Sequence, residues 1–322
     1  MTLTVLSLAS ACSLLGDRRS EAESIERQIR SMPGVAETEL HYQWAIGSKG
    51  HFVLDVRLAP EVTATQAADV GKAFAKEMNR VRFDDDEAVR LHLRLPRPAT
   101  NAHVPDYSQA EFWFAPANDK LWPGPDQITD SVAMWLRAAG SPATTRVDLT
   151  QPWGNSKLTR HITLMLKTDA TDDQVAALED VVSGRADVTW QYSIVADATH
   201  PPHDYVVSPA PPTSTGKELF TRINGMLDAE DELSIHTDVS DKPQYSNTSV
   251  TIEIADGPDS KERTRRTAES VAELLPGFGE DTEFTISGAG ESASIVVGGC
   301  RFREGGERSE LELYLSDKYE TC

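Results

Sequence analysis

Gln43-Trp44…Leu54-Asp55-Val56-Arg57-Leu58…Thr63-Ala64-Thr65-Gln66 and Gln151-Pro152-Trp153-Gly154-Asn155-Ser156-Lys157…Ile162-Thr163-Leu164-Met165-Leu166…Thr171-Asp172-Asp173-Gln174 are one pattern written twice, Leu54 and Ile162 standing 108 positions apart. In each copy a turn leads into a strand whose alternate residues are apolar, the signature of a strand with one buried face. Thr and Gln then open a helix, with Thr63 or Thr65 able to cap the first. The stretch therefore sets an architecture rather than a chemistry. Its Leu54, Val56 and Leu58, with Ile162, Leu164 and Leu166, read as core.

Working outward, the first unit spans 21–118. Ile25, Ile29 and Met32 give one helical face, stopped by Pro33-Gly34. Two strands follow, then a helix with Val70, Phe74, Met78 and Val81 inward, then strands around Val89–Leu95 and Ala110–Phe114. The second unit, 119–208, repeats the order from a helix bearing Ile128, Val132 and Trp135. A Pro-rich linker, 209–216, precedes the third unit, 217–322, whose opening helix face is Leu219, Ile223 and Met226. A last strand at Glu310–Leu315 is expected to be an addition peculiar to this unit.

The fold class expected is thus α+β, with three tandem α-β-β-α-β-β units. Side-chain identity between units is low, so element order and face spacing carry the reading. A strand–helix–strand crossover places its helix on one face of a sheet. With the leading helix on that face, each unit becomes a two-layer sandwich of helices on an antiparallel sheet. This resembles a ferredoxin-like fold with its first strand moved to the end. Folds of that kind host many functions and imply none.

Residues 1–12 hold an apolar run, Leu3 to Ala11, closed by Cys12. Ala9-Ser10-Ala11-Cys12 resembles the lipobox of bacterial lipoproteins. The resemblance covers ten residues and implies a signal segment, lipidation of Cys12, and a lipid anchor on the extracytoplasmic face of the cell membrane. The run lacks a preceding Lys or Arg and is short for a signal peptide, which a start codon assigned too far downstream explains. Residues 13–20 read as a polar tether.

The formal charge is −20, and from Thr213 onward 23 carboxylates stand against 11 Lys and Arg. That excludes a phosphate-neutralising face, so no nucleic-acid partner is expected. Of three cysteines, Cys300 and Cys322 flank the last hairpin and are expected to form a disulfide in an oxidising compartment. No nucleophile elbow, phosphate loop or zinc-protease helix is present. His200-Pro201-Pro202-His203-Asp204 offers two imidazoles without further ligands and reads as a linker with exposed histidines. His41, His51, His92 and His161 read mostly as outward-facing strand residues, and the acidic turns Asp84–Glu87 and Asp228–Glu232 lack the alternation of a calcium loop. No metal, cofactor or catalytic residue is expected. Trp44 and Trp153, beside the hairpin turns, are the candidate contacts for an envelope protein or glycan. These features suggest a non-catalytic envelope lipoprotein that binds or scaffolds. An intracellular ligand-sensing or regulatory protein, and an enzyme with a site between units, are the alternatives.

Overall fold

A computed structural model describes residues 17–44, 50–81, 83, 88–97, 106–114, 123–151, 159–196, 203–239, 248–279, 281–301 and 307–322. Among these residues are seven α-helices and twelve strands paired both parallel and antiparallel, an α+β protein. The elements are α1 (Arg19–Arg30), β1 (Val35–Gln43), β2 (His51–Leu58), α2 (Ala64–Val81), β3 (Ala88–Pro96), β4 (Tyr107–Phe114), α3 (Pro125–Ala139), β5 (Thr144–Gln151), β6 (Arg160–Leu166), α4 (Asp172–Val182), β7 (Val188–Val195), β8 (His203–Ser208), α5 (Ser214–Asn224), β9 (Glu232–Asp238), β10 (Thr248–Glu253), α6 (Ser260–Ala272), β11 (Thr282–Gly288), β12 (Glu291–Val297) and α7 (Glu310–Tyr319). The order α-β-β-α-β-β therefore recurs three times before α7. No helix among the described residues is long and apolar enough to cross a membrane.

By packing, the chain falls into two compact units. One holds the residues up to Pro96 with Tyr107–Arg137 and Asp148–His161, and the other holds Arg97–Asp106, Ala138–Val147 and Ile162–Cys322. In the first unit β1 to β5 are neighbours in chain order: β1–β2 and β3–β4 run antiparallel, β2–β3 and β4–β5 parallel. In the second, β7 to β12 follow the same rule. Each crossover, such as β2–α2–β3, joins strands that are immediate neighbours. This differs from the ferredoxin-like expectation, where another strand splits the crossover pair. Here every new strand adds beside the one before it.

The core of the first unit is apolar and aromatic. Phe52, Leu54, Val56 and Leu58 point to the helix-bearing face and are all fully buried, with Ile25 and Ile29 of α1 and Val70, Phe74 and Met78 of α2. The Phe52 ring lies 5.7 Å from Phe74 and 5.0 Å from Phe83, and Phe74 lies 5.3 Å from Phe114. Burying such rings supplies both area and geometric specificity. Both helix starts in the repeated stretch are built alike. Thr63 Oγ1 accepts from Gln66 N (3.2 Å) while Gln66 Oε1 accepts from Thr63 N (2.9 Å). Thr171 and Gln174 make the same reciprocal pair at 3.3 and 3.1 Å. Each pair satisfies two amides that the helix leaves without partners.

Two expectations are corrected in the third repeat. Residues 310–315 are not a strand but part of α7. Ser309 Oγ accepts from Glu312 N at 2.9 Å, and Leu311 and Leu315 are buried while Leu313 is exposed. The four-residue spacing of the two buried leucines decides against the two-residue alternation of all three. Met226 lies beyond α5 and is exposed, so only Leu219 and Ile223 form that helix's inner face. Cys300 and Cys322 are bonded, with Cα atoms 4.9 Å apart. The bond fastens the chain end where Gly298 N donates to Tyr319 O and Thr321 N to Gly299 O.

Replacing Thr63 or Thr171 with Ala is expected to cost about 1 kcal/mol each, read as faster hydrogen exchange confined first to α2 or α4. Replacing Cys300 and Cys322 with Ser together is expected to cost on the order of 3 kcal/mol in urea unfolding.

Candidate functional site

Strand register gathers the site. On the face of the first unit opposite the aromatic core, Glu39 pairs with Asp55, Asp55 with His92, and His92 with Glu111. The four form one row straight across β1, β2, β3 and β4. Adjacent rows bring up Glu37, Arg57, Arg94 and Gln109 on one side, and His41, Arg90 and Trp113 on the other. Two-residue periodicity forces this segregation: Leu54, Leu91 and Phe112 face the helices, and their chain neighbours face away.

This polar row is not a loosely solvated one. Asp55 is only 7% exposed. Its Oδ1 lies 2.7 Å from His92 Nδ1 and 2.9 Å from Arg94 Nη2, and its Oδ2 lies 3.2 Å from His41 Nε2. The other nitrogen of His92, Nε2, lies 3.3 Å from Glu111 Oε1, an ion-pair distance without hydrogen-bond alignment. Trp113 Nε1 donates to the same Glu111 oxygen at 2.6 Å, and Arg90 Nη1 approaches it at 3.4 Å. Each guanidinium group lies over an aromatic ring. Arg90 lies 4.1 Å from the centre of the Trp113 ring and Arg94 lies 4.8 Å from that of Tyr107. Such stacking fixes a cation while leaving its in-plane donors for carboxylates. Beside the row is a shallow cleft of about 190 Å³ lined by Glu37, Glu39, Asp55, Arg57, Arg94 and Tyr107.

The charges adjust to one another. Burial opposes charge on His92, but the carboxylates of Asp55 and Glu111 outweigh it and hold the imidazole above its ordinary value. Burial likewise works against ionised Asp55, and the His92 hydrogen bond with the Arg94 charge outweighs it, leaving the carboxyl below the usual range. Glu111 is lowered in the same way, against burial, by His92, Trp113 and Arg90. The row is therefore a carboxylate–imidazole–carboxylate chain whose two acids favour the charged form of the ring. Chemically it presents fixed charges of both signs and a stacked pair of guanidinium groups to a polar ligand. Glu39, His41 and Asp55 also bring three ligand-type atoms within 4.8 Å of one another.

The residues singled out from the sequence are mostly elsewhere. Cys12 and Trp153 lie outside the described residues, as does the acidic turn at 84–87. Trp44 follows the end of β1 and is half-buried. His203 is not an exposed linker residue: it opens β8 and is fully buried, Nδ1 2.5 Å from Asn224 Oδ1 and Nε2 2.8 Å from the Asp231 carbonyl. The turn at Asp228–Glu232 likewise buries one of its acids, since Asp231 receives Arg263 at 2.8 Å and the Ala255 amide at 2.9 Å. His92 faces outward, as the sequence reading has it, and its neighbours across the sheet are acids. Sequence reasoning missed Asp55, Glu111, Arg90, Arg94 and Trp113. The usable signal was the alternation of Tyr107, Gln109, Glu111 and Trp113 with apolar residues, which puts a second tryptophan on a strand face instead of a loop tip.

No protein-family model, no curated protein and no solved structure matches this chain. The site therefore stands on its own geometry.

The sign of the pH dependence follows from the shifts. Raised His92 contributes stability that is full below about pH 6.5, its unfolded value, and is lost as pH rises through the folded value. Lowered Asp55 and Glu111 contribute above about pH 4 and lose it as pH falls further. The stability advantage of the native protein over His92→Gln is thus expected to peak near about pH 5–6 and to shrink in both directions. Urea unfolding from pH 3 to 9 measures it, and a pH-independent difference contradicts the assignment.

Proposed function

We propose that this chain is a non-catalytic cell-envelope lipoprotein, anchored through Cys12, that binds or scaffolds a polar partner. Its three α-β-β-α-β-β repeats act as modules, each with a helix layer on its strands. The observation that carries the reading is the Cys300–Cys322 bond. Structural disulfides persist in oxidising compartments and are rare where thiols are kept reduced, so the bond favours an exported chain over an intracellular sensor. The lipobox-like Ala9-Ser10-Ala11-Cys12 supplies the means of attachment. A lipid anchor holds a chain at the surface without a spanning helix.

The binding surface is the outer face of β1–β4, with Trp44 at its margin and Trp153 a second candidate contact. Its charged groups are already paired and held in place, so a partner meets a preorganised surface and little side-chain freedom is lost on binding. A protein or glycan bearing hydrogen-bonding groups fits it better than an apolar ligand. Nucleic acid does not suit a chain of charge −20.

Labelled palmitate, fed to cells expressing the protein from its own gene, tests the anchor. Label and membrane association are expected for the native chain and both are expected to vanish in Cys12→Ala. Label that persists in Cys12→Ala, or a native chain that takes none, overturns the proposal.

A further inference from the structure

The geometry points to a zinc site at Glu39, His41 and Asp55, on the same β1–β4 face proposed to meet a partner and independent of the lipid anchor. Register places the three together: Glu39 is the direct cross-strand partner of Asp55, and His41 lies two residues along β1, on the same face. His41 Nε2 is 3.3 Å from Glu39 Oε1 and 3.2 Å from Asp55 Oδ2. Zinc held tetrahedrally at 2.0–2.1 Å from nitrogen and oxygen separates its ligands by about 3.3–3.4 Å. Both distances from His41 thus already match the edges of such a polyhedron, and all three ligand atoms lie within 4.8 Å of one another.

The surroundings fit a metal as well. Asp55 is buried and its Oδ1 is taken by His92 Nδ1 at 2.7 Å and Arg94 at 2.9 Å, which turns Oδ2 toward His41. His92 is itself held between Asp55 and Glu111. An oriented carboxylate backed by a second polar layer is the arrangement that tunes metal ligands. His41 and Glu39 are 48% and 66% exposed, which leaves an entry path and room for water at a fourth position. The donor set selects the ion. One imidazole and two carboxylates suit a borderline first-row cation, whereas calcium takes six to eight oxygens.

The test uses the full chain, stripped with a chelator, and zinc competed against a chromophoric indicator. One zinc per chain is expected. His41→Ala and Glu39→Ala, both at exposed side chains, are each expected to weaken binding by about tenfold or more, and His92→Gln, a positioning residue, by about tenfold. His236→Ala, on β9, is expected to leave it unchanged. Cobalt in place of zinc is expected to give the intense visible bands of tetrahedral coordination, lost in His41→Ala. Zinc affinity equal in the native chain, His41→Ala and Glu39→Ala, or no binding by the native chain, overturns the inference. Neither outcome bears on palmitate labelling, so the two readings fail separately.

Discussion

A carboxylate nine-tenths removed from water has to be matched by positive charge, and Asp55 imposes that condition on the whole outer face of the first unit. Leaving such a charge uncompensated costs several kcal/mol, so it gathers partners from neighbouring strands. His92 and Arg94 meet one oxygen and His41 the other. Half-buried His92 has a second acid on its other side, Glu111. Glu111 then draws in Trp113 and Arg90. One buried acid in β2 thereby fixes side chains on four strands.

The same constraint recurs in the second unit with different residues. Asp231 is buried and takes up Arg263 and two backbone amides, from Ala255 and Asp228. His203, beside it, uses both ring nitrogens. In both units a charge that composition alone would place on a solvated surface is instead sealed beneath its partners. What differs is exposure of the surrounding groups. Around Asp55 a cleft and two exposed ligand-type side chains remain accessible, and there the polar network has an outlet to a ligand.

Much of the fold was legible in the chain. Apolar alternation located β2, β3 and β6, and the Thr–Gln pairs marked the starts of α2 and α4, because these signals depend only on residues close in sequence. The end of the chain was misjudged because Leu311, Leu313 and Leu315 satisfy two periodicities at once, and only packing shows which leucines are buried. The site was less legible. Asp55 and Glu111 stand 56 positions apart, and nothing local reveals that both flank His92. Their meeting depends on the order and register of the strands, which the chain does not spell out. The tryptophan pair drew attention to loop tips for the same reason: hairpin ends are visible in sequence, while a row of side chains across four strands is not. The disulfide was legible because Cys300 and Cys322 lie together near the end of the chain, although α7 and not a hairpin strand stands between them.

The central claim is that His92 is a half-buried histidine clamped between two carboxylates that favour its charged form. The most direct measurement is a nitrogen-15 and carbon-13 NMR titration of the histidine rings in the intact chain. The account predicts that His92 titrates above the ordinary imidazole value of about 6.5, with the shift lost in Asp55→Asn. A His92 ring that titrates at or below that value would contradict it.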